Sequence, residues 1–288
     1  MSVVAHVLKM LDRQEFLYPL DKFRRVDVGL NVVGVSQANI GDPTEAPVSR
    51  TLFYPSVTYT KDVTTPGYLF PIGGHRFAAS LSGTPGQFGA KRLPFATLLV
   101  DGRAYTSFAR GAYSFAVRGS AGTSVGSGQQ LFYTSGVTNW INREFDATNG
   151  FPIEDANDFL FATPILPLRG WAINAKQGSH FGLVNAEFRF PLVAAVLPGP
   201  LPLVPLYNLQ GSAFVDVGSV WGGRSADPDP GFNLYRTDDE TGERVFDDLL
   251  VGAGFGLRTI LLGYPLRLDF AWPFDGHRFG RSARDRLE

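Results

Sequence analysis

Strand-length stretches in which apolar residues alternate with polar or small ones recur along this chain, and a period of two is the signature of extended strands. In 183–192, Val184, Ala186, Phe188, Phe190 and Leu192 share one face, while Leu183, Asn185, Glu187 and Arg189 share the other. In 265–274, Leu266, Leu268, Phe270, Trp272 and Phe274 alternate with Arg267, Asp269 and Ala271. Segment 251–261 sets Val251, Ala253, Phe255, Leu257 and Leu261 against Gly252, Gly254, Gly256 and Arg258. Segment 211–221 sets Ala213, Val215, Val217 and Trp221 against Ser212, Phe214, Asp216 and Gly218. Weaker alternation at 24–36, 50–61, 74–83, 94–106 and 109–120 brings the total to about nine strands. The connections between them are short near Ser107–Ala109 and Gly263–Tyr264 and long at 37–48, 84–93, 121–180 and 222–247. Membrane barrels show that asymmetry, with short turns on one rim and long loops on the other.

A soluble β-sandwich also alternates, so the faces must be compared. A sandwich turns Lys, Glu and Thr outward. Here the polar face carries Gly, Ala, Ser and isolated charges, closer to a lumen wall, and the apolar face is an unbroken Phe, Leu, Val and Trp series. Trp221 and Trp272, near strand ends, suit a bilayer interface. The expected fold is therefore all-β, an antiparallel transmembrane β-barrel, with lipid against the bulky series and water against the Gly, Arg and Glu series. Composition agrees: charged residues are 18% and aromatics 13%, a poor mixture for helical soluble domains. No apolar run reaches the length of about 18 residues that a membrane helix needs, which leaves a barrel as the way across a bilayer.

A net charge of -1 supplies no basic field for nucleic acid. The absence of cysteine excludes disulfides and thiolate chemistry. Residues 2–14 read as a short amphipathic helix, with Val4, Val7, Leu8 and Leu11 at helical spacing, so 1–20 is expected to be a connecting segment ahead of one domain over 21–288. Residues 1–20 do not have the basic start and apolar run of a signal peptide. The apolar, proline-rich link 193–206 is longer than its place in the turn pattern suggests.

From residue 166 onward four motifs in order resemble the bacterial surface antigen superfamily, the outer-membrane assembly and translocation barrels of the BamA and TamA type. They are Leu168-Arg169-Gly170-Trp171; Asn185-Ala186-Glu187-Phe188-Arg189-Phe190-Pro191-Leu192; Phe214-Val215-Asp216-Val217-Gly218 with Val220-Trp221; and Gly252 to Arg258 followed by Pro265-Leu266-Arg267-Leu268-Asp269-Phe270. Tyr133 to Trp140 also resembles the subgroup fused to a TolB-like propeller. The resemblance implies a sixteen-stranded barrel in which loop 121–180 folds inward and Arg169 pairs with Asp216 on the lumen wall. It also implies a non-enzymatic role in inserting or translocating polypeptides at the bacterial outer membrane. The implied partners are membrane lipid, lipopolysaccharide and client polypeptides. A passive porin-like or structural surface barrel and a soluble all-β binding module are the alternatives, and the module would extract without detergent. With about nine strands and a charged tail at 280–288, the chain is expected to be the C-terminal portion of such a barrel, open or incomplete. An unclosed edge in hydrocarbon costs several kcal/mol per unpaired backbone group.

Glu187, Arg189, Arg258, Arg267 and Asp269 are expected to form a ladder of lumen charges across neighbouring strands. No residue stands out as catalytic. His6, His75, His180 and His277 have no ligand spacing, and the acidic runs Asp227–Pro230 and Asp238–Glu240 lack the ordered spacing of a calcium loop and read as a solvated loop, so no metal or cofactor is assigned. Ser124–Gly128 is read as flexible loop, without the helix and Lys of a phosphate cradle, and Ser135 has no nucleophile elbow.

Overall fold

The computed structural model of the chain describes residues 4–39, 48–67, 69–84, 94–134, 162–165, 167–192, 209–223, 231–237, 242–261, 264–277 and 279–280. Each of the nine alternating segments forms a strand: β2 (Arg24–Asn39), β3 (Val48–Asp62), β4 (Gly74–Thr84), β5 (Phe95–Phe108), β6 (Tyr113–Val125), β10 (His180–Pro191), β11 (Gln210–Trp221), β14 (Leu250–Leu261) and β15 (Tyr264–Phe274). With β1 (Val4–Pro19) they build one antiparallel ten-stranded sheet in the order β1-β2-β3-β4-β5-β6-β10-β11-β14-β15. At about 3.3 Å per residue, strands of 11 to 16 residues are long enough to cross a bilayer while tilted.

β1 corrects the helix expected over 2–14. The stretch pairs along its whole length with β2, from Val4 opposite Asn39 to Pro19 opposite Arg25. A register shift between Met10 and Asp12 inserts one residue and reverses the phase of the alternation, which hides the period of two. The strand therefore belongs to the same sheet as the segments that follow it.

The outer face is bare. Phe115, Phe188, Ala213, Phe255 and Phe270 lie on one rung across five strands, and Val184, Val215 and Phe255 leave 51, 44 and 51% of their surface uncovered. A sandwich would have buried this series under a second sheet; here a hydrocarbon phase is the surrounding that rewards it. Near one rim Phe108, Tyr113 and Phe188 stack on one another, an arrangement suited to a membrane interface. That rim carries the turns at 20–23 and 109–112 and the longer one at 63–73.

The opposite rim carries the long connections, and they are not featureless. Between β6 and β10 lie β7 (Leu131–Thr134), β8 (Ala162–Ile165) and β9 (Gln177–Gly178), a small sheet in the order β8-β7-β9. Its apolar side meets the inner face through Phe132, Ile165, Phe181 and Val220. Between β11 and β14 stands a hairpin of β12 (Tyr235–Thr237) and β13 (Arg244–Phe246). The reading of Ser124–Gly128 as flexible loop also gives way. Ser124 closes β6, fully buried, with its Oγ 2.8 Å from Thr97 Oγ1 and accepting from the Gln130 amide. Link 193–206, Ser135 to Trp140, Asp227–Pro230, Asp238–Glu240 and the tail beyond Gly280 lie outside the described residues. The ends of β10 and β11 are tied by a bond from the Leu192 amide to the Leu209 carbonyl.

Candidate functional site

Antiparallel register carries lumen-facing residues of distant strands onto shared rungs. Asn185 on β10 stands opposite Asp216 on β11, and Asp216 opposite Gly252 on β14. Onto this rung folds the segment Pro167–Lys176 from the inward connection. Leu168 is fully buried against Leu183 and Leu250, with Trp171 and Ala175 beside them. Two glycines of the wall leave the room for it: a Cβ at Gly218 would come 3.0 Å from Leu183 Cδ1 and 3.3 Å from Leu168 Cδ1, and one at Gly252 would overlap the Arg169 carbonyl oxygen. Gly170 turns the tip with φ +91°, in the left-handed region that glycine adopts without steric cost. The Trp171 indole donates to the Val251 carbonyl at 2.9 Å.

Arg169 meets Asp216 as the resemblance implies. Its Nε donates to Oδ2 at 2.6 Å, a terminal nitrogen donates to Oδ1 at 2.7 Å, and its backbone amide donates to Oδ2 at 3.0 Å. Asn185 Nδ2 donates both to Asp216 Oδ1 and to the Pro167 carbonyl, each at 2.8 Å. The guanidinium carbon of Arg169 lies 3.3 Å from the centre of the Phe214 ring. This is a two-pronged, charge-assisted pair with a cation–π floor, fixing orientation as well as position.

The other predicted charges join the same network. Glu187 is held by Arg258 through both oxygens, one of them at 2.9 Å, and receives Arg189 Nε at 2.7 Å. Asp269 receives Arg267 Nε at 2.6 Å and lies 3.7 Å from both Arg169 and Arg258. The structure thus brings together all seven expected charges, four guanidiniums and three carboxylates. The network is drier than expected. Asp216 is fully buried, and Arg169, Glu187 and Arg258 are 3, 8 and 5% exposed, because the inward segment covers the face that water was to wet. Arg267 stays partly open, with a side chain 42% exposed.

Sequence reasoning missed three contributors. Phe70, in the turn between β3 and β4, reaches back over the lumen, with its ring centre 4.3 Å from the Arg189 guanidinium carbon and 4.9 Å from that of Arg258. Lys176 donates to Asp248 Oδ1 at 2.8 Å and so ties the inward segment to the link between β13 and β14. Asn185 sits within the family-like strand without an assigned role. Only the Gly and Pro richness around Phe70 hinted at a shaped turn; the contacts are too distant in sequence to read. Trp221 and Trp272 do stand near strand ends, with Trp221 packed on His180 and Phe232.

Comparison with known proteins agrees with this architecture. A crystal structure of BamA from Haemophilus ducreyi lacking POTRA domains 1–3 superposes with a TM-score of 0.59 at 16% identity, over 92% of this chain and 50% of that one. The chain therefore spans about half the length of that relative. No curated protein matches in sequence. Nothing in these comparisons bears on the propeller subgroup. The Omp85 superfamily domain matches residues 16–284, and the chain belongs to the Omp85 superfamily.

Proposed function

We propose that this chain forms a barrel wall in the bacterial outer membrane that takes part, without catalytic chemistry, in inserting or translocating polypeptides. Lipid and lipopolysaccharide cover its Phe, Leu and Val face; client polypeptides engage its lumen or sheet edges. The observation that carries this reading is the clamp of Arg169 on Asp216, which fixes an inward segment to the wall among buried charges. Burying that many charges is costly unless each is paired with good geometry, so a chain serving only as a wall has little reason to keep them. A passive pore needs an open lumen, whereas residues 167–179 cover the polar face of β10, β11 and β14.

The test is made in cells that depend on the chain. Arg169→Ala is expected to lower the amount of folded β-barrel proteins in the outer membrane while the chain itself remains membrane-extracted. Unchanged levels of those proteins, together with ion conductance through the purified chain, would favour the passive pore.

A further inference from the structure

On the outer face a series of rings climbs from mid-strand toward the rim of long connections. Phe270 lies 5.3 Å from Phe255 between ring centres, Phe255 lies 5.6 Å from Trp272, and Phe274 follows Trp272 on the same face at the end of β15. The series does not stop where the strand does. Phe274 meets Phe246 of β13 at 6.3 Å, and Phe246 stacks at 5.5 Å on Tyr235, its cross-strand partner in β12. Arg244 closes the series, with its guanidinium carbon 4.6 Å from the Tyr235 ring centre. The same step recurs on β11, where Trp221 at the strand end meets Phe232 at 5.6 Å, and Phe279 packs 5.0 Å from Phe274. Phe232, Tyr235 and Phe279 leave 46, 45 and 60% of their surface uncovered, as much as the outward residues of the strands themselves. The other side of the hairpin is turned to the protein: Val245 is buried, and Asp248 at its foot receives Lys176 of the inward segment.

We infer that the β12–β13 hairpin lies on the membrane leaflet at this rim and anchors the wall there, Tyr235 and Arg244 among the lipid headgroups and Phe232 and Phe246 against the tops of the acyl chains. The 11 residues of β15 extend about 36 Å, which at a tilt of about 45° crosses about 25 Å, the height of the apolar band on a membrane barrel. Phe274 therefore stands at the edge of the hydrocarbon. The headgroup layer beyond it is about 5–8 Å thick, the reach of the next one or two ring contacts. An order of Phe, then Tyr, then Arg follows the polarity gradient of that layer, with bare rings toward the tails and the hydroxyl and guanidinium toward water. A second protein seated on the hairpin would reward buried rings without calling for that order. The inference rests on the reading of the outer face as lipid-covered and extends it to a segment beyond the strands.

The chain has no cysteine, so a single nitroxide label can be attached at a chosen site. The full chain is inserted in vesicles of equal parts phosphatidylcholine and phosphatidylglycerol, with the label at Tyr235→Cys, Phe232→Cys, Arg236→Cys or Val215→Cys. Collisions of the label with oxygen, which concentrates in hydrocarbon, are compared with collisions with a water-soluble nickel chelate. Val215, in the middle of the outer face, is expected to give the highest ratio of oxygen to nickel, and Arg236, on the other side of β12, the lowest. Tyr235 and Phe232 are expected to fall between, about three-fold above Arg236. The two sites test the hairpin independently, since Phe232 packs on Trp221 and Tyr235 on Phe246. Ratios at Tyr235 and Phe232 equal to that at Arg236, with Val215 in hydrocarbon, would overturn this inference alone. Shielding of both sites from oxygen and nickel together would put a protein on the hairpin and overturn it as well. A water-exposed Val215 would overturn it together with the reading on which it rests.

Discussion

Across β10 to β15 three carboxylates and four guanidiniums interlock beneath the inward segment, whereas across β4 to β6 Arg76, Arg103 and Arg118 share one rung beside an open cleft, with Asp101 receiving Arg103 and Arg118 and Asp62 3.8 Å from Arg76. Both regions arise from the same alternation, on the same face of the same sheet. They differ in what covers them. Where Leu168 and Trp171 exclude water, a lone charge would be prohibitively costly, so each charge lies within reach of an opposite one. Where the face stays half-open, water screens the arginine row enough to keep it. Close pairing of charges on this wall therefore follows local dryness.

The sharpest way to break this contrast is to unpair the covered region. Asp216→Ala leaves Arg169 buried without its carboxylate and is expected to cost about 3–5 kcal/mol in denaturant unfolding of the micelle-bound chain. Exchanging the two charges, Arg169→Asp with Asp216→Arg, should recover part of that loss; no recovery would mean that each acts through other neighbours. Leu168→Ala follows, at about 2–5 kcal/mol, because its pocket against Leu183 and Leu250 would be left a cavity. Third is a matched pair of glycines. Gly252→Ala, driven into the Arg169 carbonyl, should cost about 1–3 kcal/mol, while Gly119→Ala, with nothing within 4 Å of its added carbon, should change stability by less than about 0.5 kcal/mol. Smallest is Arg103→Gln on the arginine row, expected to be neutral or to stabilise by up to about 1 kcal/mol by relieving repulsion. A large loss there would show that the row is already satisfied within the chain.

Much of this was legible beforehand. Alternation located the nine strands β2 to β6, β10, β11, β14 and β15, because one face must be apolar throughout for a strand to lie against lipid. It failed at β1, where the bulge at Met10 to Asp12 disrupts the parity on which the reading depends. The family-like motifs brought Arg169 and Asp216 together, and parity put Glu187, Arg189, Arg258, Arg267 and Asp269 on the lumen side. The dryness of that side was not legible, since it depends on how far a connection folds inward, which no local pattern encodes. The same limit hid Phe70 and Lys176, whose partners lie more than seventy residues away.

The central claim, that the inward segment is locked to the wall through Asp216, is tested most directly by amide hydrogen exchange on the full chain in micelles. Residues 168–176 are expected to exchange about as slowly as β10 and β11, and Asp216→Ala to release them while β4 to β6 keep their protection. Fast exchange of 168–176 in the unaltered chain, or protection that survives Asp216→Ala, would contradict it.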